Sequence, residues 1–270
     1  MHAPKARLAV APLAALAIAG ALPLTAQAQA EEPWKFQFAL YGWLPSMGGS
    51  SSYPVQTGGT NIDVSMGDVL DALQFTFQFN FEARKGKWGV WTDLVYADFS
   101  QSKSGSRDFT IGGSHPAGVD AYLKIDLTSW IWTLAGLYNL AETPEVTSDL
   151  LFGTRYLDLS NKLSWDFSNT ITNVPRSGSA NADLQNWDAI VGVKGRFMFG
   201  DDRRWFIPYY LDVGTGESKF TWQILGGLGY RFDWGSIVAS WRYLDYDFKS
   251  SSKVDSLSLN GPLIGVVFNW

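Results

Sequence analysis

From Leu73 to Arg84 the chain reads Leu-Gln-Phe-Thr-Phe-Gln-Phe-Asn-Phe-Glu-Ala-Arg. Odd positions through Phe81 are large and apolar, and even positions are polar or charged. A period of two predicts a strand with two unlike faces. A soluble sandwich would turn the apolar face to a core. A membrane-spanning barrel would turn it to lipid and line its lumen with Gln, Asn and Glu. One strand does not choose between them.

The same alternation predicts nine further strands, at 34–45, 88–99, 121–140, 150–165, 185–199, 204–214, 220–232, 235–248 and 257–270. In the first, Trp34, Phe36, Phe38 and Leu40 share one face and Lys35, Gln37 and Tyr41 the other. The connections at 46–70, 101–118 and 166–183 are long and polar, whereas 85–87, 141–147, 200–202 and 233–234 are tight. Two more, 215–219 and 249–255, are intermediate. Within the first long connection, Ser65-Met66-Gly67-Asp68 has capping-box spacing and predicts a short helix over 66–72. Long loops at one end and short turns at the other is the arrangement of an outer-membrane barrel, with the long loops outside the cell. The fold expected is therefore all-β, a closed antiparallel transmembrane β-barrel of ten strands. Eight or twelve also fit the length.

The start of the chain is different in kind. Residues 1–30 carry Lys5 and Arg7, an apolar run broken by Pro12 and Pro23, and Ala-x-Ala at 26–28 and 28–30. That is the layout of a cleaved secretory signal peptide, so the barrel domain is expected to span 31–270. None of the 41 aromatic residues (13 Trp, 11 Tyr, 17 Phe) falls in those thirty. Removing them leaves 19 basic against 26 acidic residues, a formal charge of −7. Nucleic-acid binding, which needs a basic patch or stripe, is excluded on that balance. An exported chain without cysteine, and without an apolar run after residue 30 long enough for a membrane helix, fits an outer-membrane barrel.

Strand parity points one polar set into the lumen: Glu82, Arg84, Asp93, Lys124, Asp126, Arg155, Lys194, Arg196, Asp212, Arg231 and Arg242. Two readings of that set stand. A barrel of about eight strands is just filled by its own side chains, so the charges would form a salt-bridged plug. Left partly unpaired, they would line a narrow pore. Trp34, Trp88, Trp187, Trp205, Trp222, Tyr230, Trp241, Tyr243 and Trp270 lie near strand ends, where interfacial girdles are expected.

Catalytic chemistry is poorly supplied. Past residue 30 there is no Cys and one His, His115, in a Gly/Ser segment beside Pro116. A Ser or Cys nucleophile normally leans on a positioned base. Asp63, Asp68 and Asp71 lack the spacing of a calcium loop. Gly226-Gly227-Leu228-Gly229 lies within a strand and precedes no helix, so it is read as close wall packing and not a phosphate cradle. No enzymatic activity, metal or cofactor is expected.

The chain stops on an alternating strand, with Pro262, Ile264, Val266, Phe268 and Trp270 on one face. Across residues 34–270 it resembles the small outer-membrane β-barrel superfamily of OmpA-, OmpW- and opacity-protein-like barrels. A narrower resemblance, to uncharacterised proteobacterial barrels, is carried by Tyr41-Gly42-Trp43-Leu44-Pro45, Phe81-Glu82-Ala83-Arg84, Gly153-Thr154-Arg155-Tyr156, Trp187-Asp188 with Val191-Gly192-Val193-Lys194-Gly195-Arg196, Asp212-Val213-Gly214-Thr215-Gly216, Thr221-Trp222-Gln223 and Trp241-Arg242-Tyr243-Leu244-Asp245. The resemblance implies a Gram-negative outer-membrane location and a monomer among bilayer lipid and lipopolysaccharide. It also implies that Ile264, Val266, Phe268 and Trp270 are a C-terminal signal for the barrel-assembly machinery. It implies no catalytic residues. The expected function is a structural, surface-interaction or envelope role, with a narrow solute pore or a conduit for apolar molecules as the alternative and an outer-membrane enzyme as the least favoured reading.

Overall fold

The computed structural model describes residues 32–51, 60–105, 121–167, 177–250 and 254–270. The expected signal segment and His115 lie outside these. In chain order the elements are β1 (Lys35–Trp43), β2 (Ser46–Ser51), β3 (Thr60–Val64), α1 (Met66–Ala72), β4 (Leu73–Lys85), β5 (Trp88–Gly105), β6 (Ala121–Glu142), β7 (Val146–Phe167), β8 (Ser177–Phe199), β9 (Trp205–Gly216), β10 (Ser218–Arg231), β11 (Ser236–Phe248) and β12 (Val254–Asn269). β1 and β4 to β12 are joined in sequence by antiparallel neighbours, and β1 pairs with β12 to close a ten-stranded barrel. The β1–β12 pairing closes the ring, so every barrel strand has a neighbour on each side over at least part of its length, as crossing lipid with strands requires.

The region expected to be an unstructured loop at 46–70 contains a hairpin. β2 continues the sheet by pairing with β12, and β3 pairs with β2. Its Gly/Ser-rich sequence has little strand propensity of its own, so the hairpin rests on β12 as template. The expected helix is present: Ser65 Oγ accepts from the Asp68 amide at 3.2 Å, and Asp68 accepts from the Ser65 amide at 3.3 Å, a reciprocal capping box. The short turns behave as expected. Between β4 and β5, Gly86 adopts φ +60°, which a residue with a Cβ reaches only at a cost. Gly229 admits a close neighbour, since a Cβ there would lie 2.2 Å from the Phe206 ring.

Strand length carries information. A bilayer is crossed by roughly 9–11 tilted residues, yet β6 and β7 each run 22 residues and β8 runs 23. Their excess lies at the long-loop end, so this side of the wall stands out of the membrane. The outer surface confirms the level. Leu134, Phe152, Val191, Leu211, Val213 and Ile237 form an exposed apolar band. Tyr96–Trp130 and Tyr156–Trp187 contacts, each 4.5 Å between ring centroids, mark its upper rim. Trp88–Tyr138 at 4.8 Å and Trp205–Tyr230 at 4.9 Å mark its lower rim. Paired aromatics at two levels are the interfacial girdles of a transmembrane barrel.

Candidate functional site: the barrel interior

The lumen is built in three levels. At the short-turn end, Arg84 is bidentate to Asp149, at 2.8 and 2.6 Å, and also holds Glu82 at 2.8 Å. Lys194 reaches Glu82 at 2.6 Å and sits 4.8 Å over the Trp91 ring. Asn139 donates to Asp149 at 2.9 Å. These groups line an inner chamber of about 610 Å³, into which Arg196 and Arg231 also project.

At mid-depth the lumen is shut by two buried ion pairs. Arg242 meets Asp93 at 2.9 Å and Gln223 at 2.9 Å, and lies 4.6 Å over the Trp43 ring. The other oxygen of Asp93 accepts from the Tyr41 hydroxyl at 2.6 Å. Arg155 pairs with Asp212, and neither side chain has any accessible surface. Tyr210 donates its hydroxyl to the same Asp212. Ions taken out of water stay charged only when paired and further hydrogen-bonded. Arg242–Asp93 meets that condition; in Arg155–Asp212 one carboxylate oxygen takes both Arg155 and Tyr210, while Arg155 Nε and Asp212 Oδ1 have no partner among the described residues. Together the two pairs form a plug.

Above the plug the interior turns apolar. Trp43, Val95, Ile131, Leu157, Leu244 and Tyr246 pack into one buried layer. Over it opens a cup of about 910 Å³ whose walls include Met47, Val69, Leu127, Leu159, Leu184 and Leu259. The lining is mainly apolar, with polar groups such as Asp68, Gln78, Asp183, Asn186, Glu217 and Lys249 among its walls. Asn186 donates to Asp188 at 2.6 Å, and Asp188 also accepts from the Ser218 amide at 2.9 Å.

Glu82, Arg84, Asp93, Arg155, Lys194, Arg196, Asp212, Arg231 and Arg242 all lie on the inner side of the wall. Lys124 and Asp126 do not. On β6 the odd positions Ile131, Thr133, Ala135 and Leu137 are buried, whereas Trp130 and Leu134 of even parity are exposed, and no bulge intervenes. Lys124 and Asp126 are even, so they stand on the outer face, paired at 2.9 Å, with Ser100 Oγ donating to Asp126 at 2.7 Å. The lumen assignment for these two is corrected. The physical reason is the height of the wall: above the girdle the outside is water, so polar residues face out and Leu127 faces the cup. Gln223 lies inward as its parity predicts, and Asp149, Tyr41 and Tyr210 belong to the interior as well. The parity of these three could have placed them, because each shares a face with a chosen residue of its own strand or its neighbour.

On the terminal strand, Ile264, Phe268 and Trp270 lie exposed on the outer wall. Phe268 faces Phe38 across the closing β1–β12 ladder, and Trp270 stacks on Phe36 at 5.8 Å.

A closed wall, an apolar outer band between two aromatic rims and a charged, plugged interior define a membrane-spanning β-barrel of the bacterial outer-membrane type. No family model matches the chain, and no curated protein matches it. Among solved structures it is similar to the outer membrane protease OmpT of Escherichia coli, with 10% identity over 88% of this chain and 97% of that one, at a TM-score of 0.46. It is similar to the translocator domain of the autotransporter NalP of Neisseria meningitidis, with 13% identity over 89% and 90%, at 0.43. A third is Ail, the attachment invasion locus protein of Yersinia pestis, with 11% identity over 88% and 99%, at 0.34. Likenesses this distant carry no function across.

Proposed function

We propose that this chain is a non-enzymatic outer-membrane barrel that does not conduct solutes and binds small apolar molecules at its outer mouth. The observation that carries this reading is the apolar cup of about 910 Å³ seated on a salt-bridged floor. Small-molecule sites are concave, mostly apolar and some 300–1,000 Å³ in volume. A water-filled passage would instead need polar walls. The protruding part of β5 to β8 turns Lys124, Asp126 and Asp158 outward, which suits a surface in contact with water or partner molecules. Bilayer lipid and lipopolysaccharide as surroundings, a monomeric state and recognition of the terminal strand by the assembly machinery belong to the same reading. The resemblance to OmpA-, OmpW- and opacity-protein-like barrels is compatible with it.

The test is binding of N-phenyl-1-naphthylamine to the refolded protein in detergent, followed by the rise in probe fluorescence. Saturable binding is expected, weakened strongly by Leu159→Lys, which puts an ammonium into the cup above the membrane. Binding that ignores Leu159→Lys would refute the cup as the site.

A further inference from the structure

At the upper rim of the lipid-facing band the β1–β4 seam is incomplete. β1 pairs with β4 only from Lys35↔Arg84 to Leu40↔Phe79, whereas its ladder with β12 continues to Trp43↔Leu263 and passes on into β2. Among the described residues, β4 above Phe79 therefore has a strand neighbour on the β5 side alone. Open backbone in a membrane wall is costly unless something satisfies it. Here the Gln78 side chain does so. Its Oε1 accepts from the Trp43 amide at 2.7 Å, and its Nε2 donates to the Trp43 carbonyl at 3.1 Å. One amide side chain thus imitates one rung of the missing ladder.

The seam is where the cup reaches the edge of the barrel. Trp43, Leu44 and Pro45 line the cup on one flank, Thr76 and Gln78 on the other, and Val69 of α1 closes it from above. Val69 is buried, but Met66 and Leu70 of the same short helix are exposed. The outer side of the β4 flank carries Phe75 and Phe77, both exposed and continuous with the lipid-facing band. The seam thus lies between the lipid-facing Phe75 and Phe77 and the mainly apolar cup, and the side chains of Gln78 and its partner Thr76 span it.

We infer that the β1–β4 seam is a lateral portal through which an acyl chain of a bilayer lipid inserts into the cup. This rests on the cup being a binding site for apolar molecules. The occupant is a lipid chain because the portal opens beside Phe75 and Phe77, at the rim of the lipid-facing band. A chain anchored by its headgroup at the interface enters at that height.

The experiment uses the full mature chain reconstituted in phosphatidylcholine vesicles. These contain a phosphatidylcholine with a diazirine at the end of one acyl chain. Photolysis and peptide mapping then locate the adducts. Adducts on inward-facing Val95, Ile131 or Leu159 are expected, since a lipid-borne chain reaches them only sideways. Gly42→Trp, which sets an indole over the outer side of the seam where an added Cβ meets nothing within 4 Å, should abolish those adducts. It should leave intact labelling of the cup by a free alkyl diazirine supplied from water. Lipid adducts confined to outward residues such as Phe75 and Phe77, beside normal labelling by the free probe, would overturn the portal alone. Cup adducts that survive Gly42→Trp would overturn it too. Absence of labelling by either probe would overturn the cup and the portal together.

Discussion

Arg155 and Asp212 sit 57 residues apart in sequence and meet with no accessible surface on either side chain. Removing one partner leaves the other charged in a dry place, which costs about 3–5 kcal/mol, whereas replacing both by apolar residues of similar volume is often nearly neutral. Arg155→Met is therefore expected to destabilise the barrel by about that amount, and Arg155→Met/Asp212→Leu to regain much of it. Urea unfolding in lipid vesicles, followed by tryptophan fluorescence, measures both. Equal losses in the single and double variants would contradict the pairing. Parity alone identified both residues as inward, along with Asp93 and Arg242. Which acid each arginine meets was not legible, because that depends on the stagger between strands far apart in the chain.

At the scale of the element, β6 shows what alternation can and cannot say. Its odd positions are inward from Leu127 to Leu137, yet its even positions change from Lys124, Asp126 and Thr128 to Trp130, Trp132 and Leu134. The face does not switch; its surroundings do, from water to lipid. Taking polar as inward misplaced Lys124 and Asp126, although Trp130 and Trp132 on the same face held the clue. The capping box of α1 was legible because it is local, and the β2–β3 hairpin was not because its template β12 lies some 200 residues away. The inversion has a measurable consequence. Leu134→Arg, between the two aromatic rims, should cost about 2–4 kcal/mol, and Thr128→Arg, above the upper rim, close to nothing. Equilibrium unfolding of the two variants in the same vesicles decides it, and similar penalties would mean that the membrane level is wrong.

For the whole molecule, the alternation of long and short connections pointed to a closed barrel of ten strands before any contact was known, with eight or twelve also fitting the length. It could not specify the vertical sorting of the lumen. A charged chamber lies at the short-turn end, a double ion-pair plug at mid-depth and an apolar cup at the long-loop end. That sorting separates a binding barrel from a pore, and it arises only when inward residues from all ten strands are brought to common heights. It also sets an expectation for the plug: with the guanidinium of Arg155 and the carboxylate of Asp212 both cut back to alanine, the floor of the cup loses its central filling.

Single-channel recording in a planar bilayer, with the refolded mature chain across a salt series, tests this most directly. The wild type is expected to insert and remain electrically silent, while Arg155→Ala/Asp212→Ala shows discrete conductance steps. Steps of the wild type that keep their size in the double variant would contradict a barrel closed by these ion pairs.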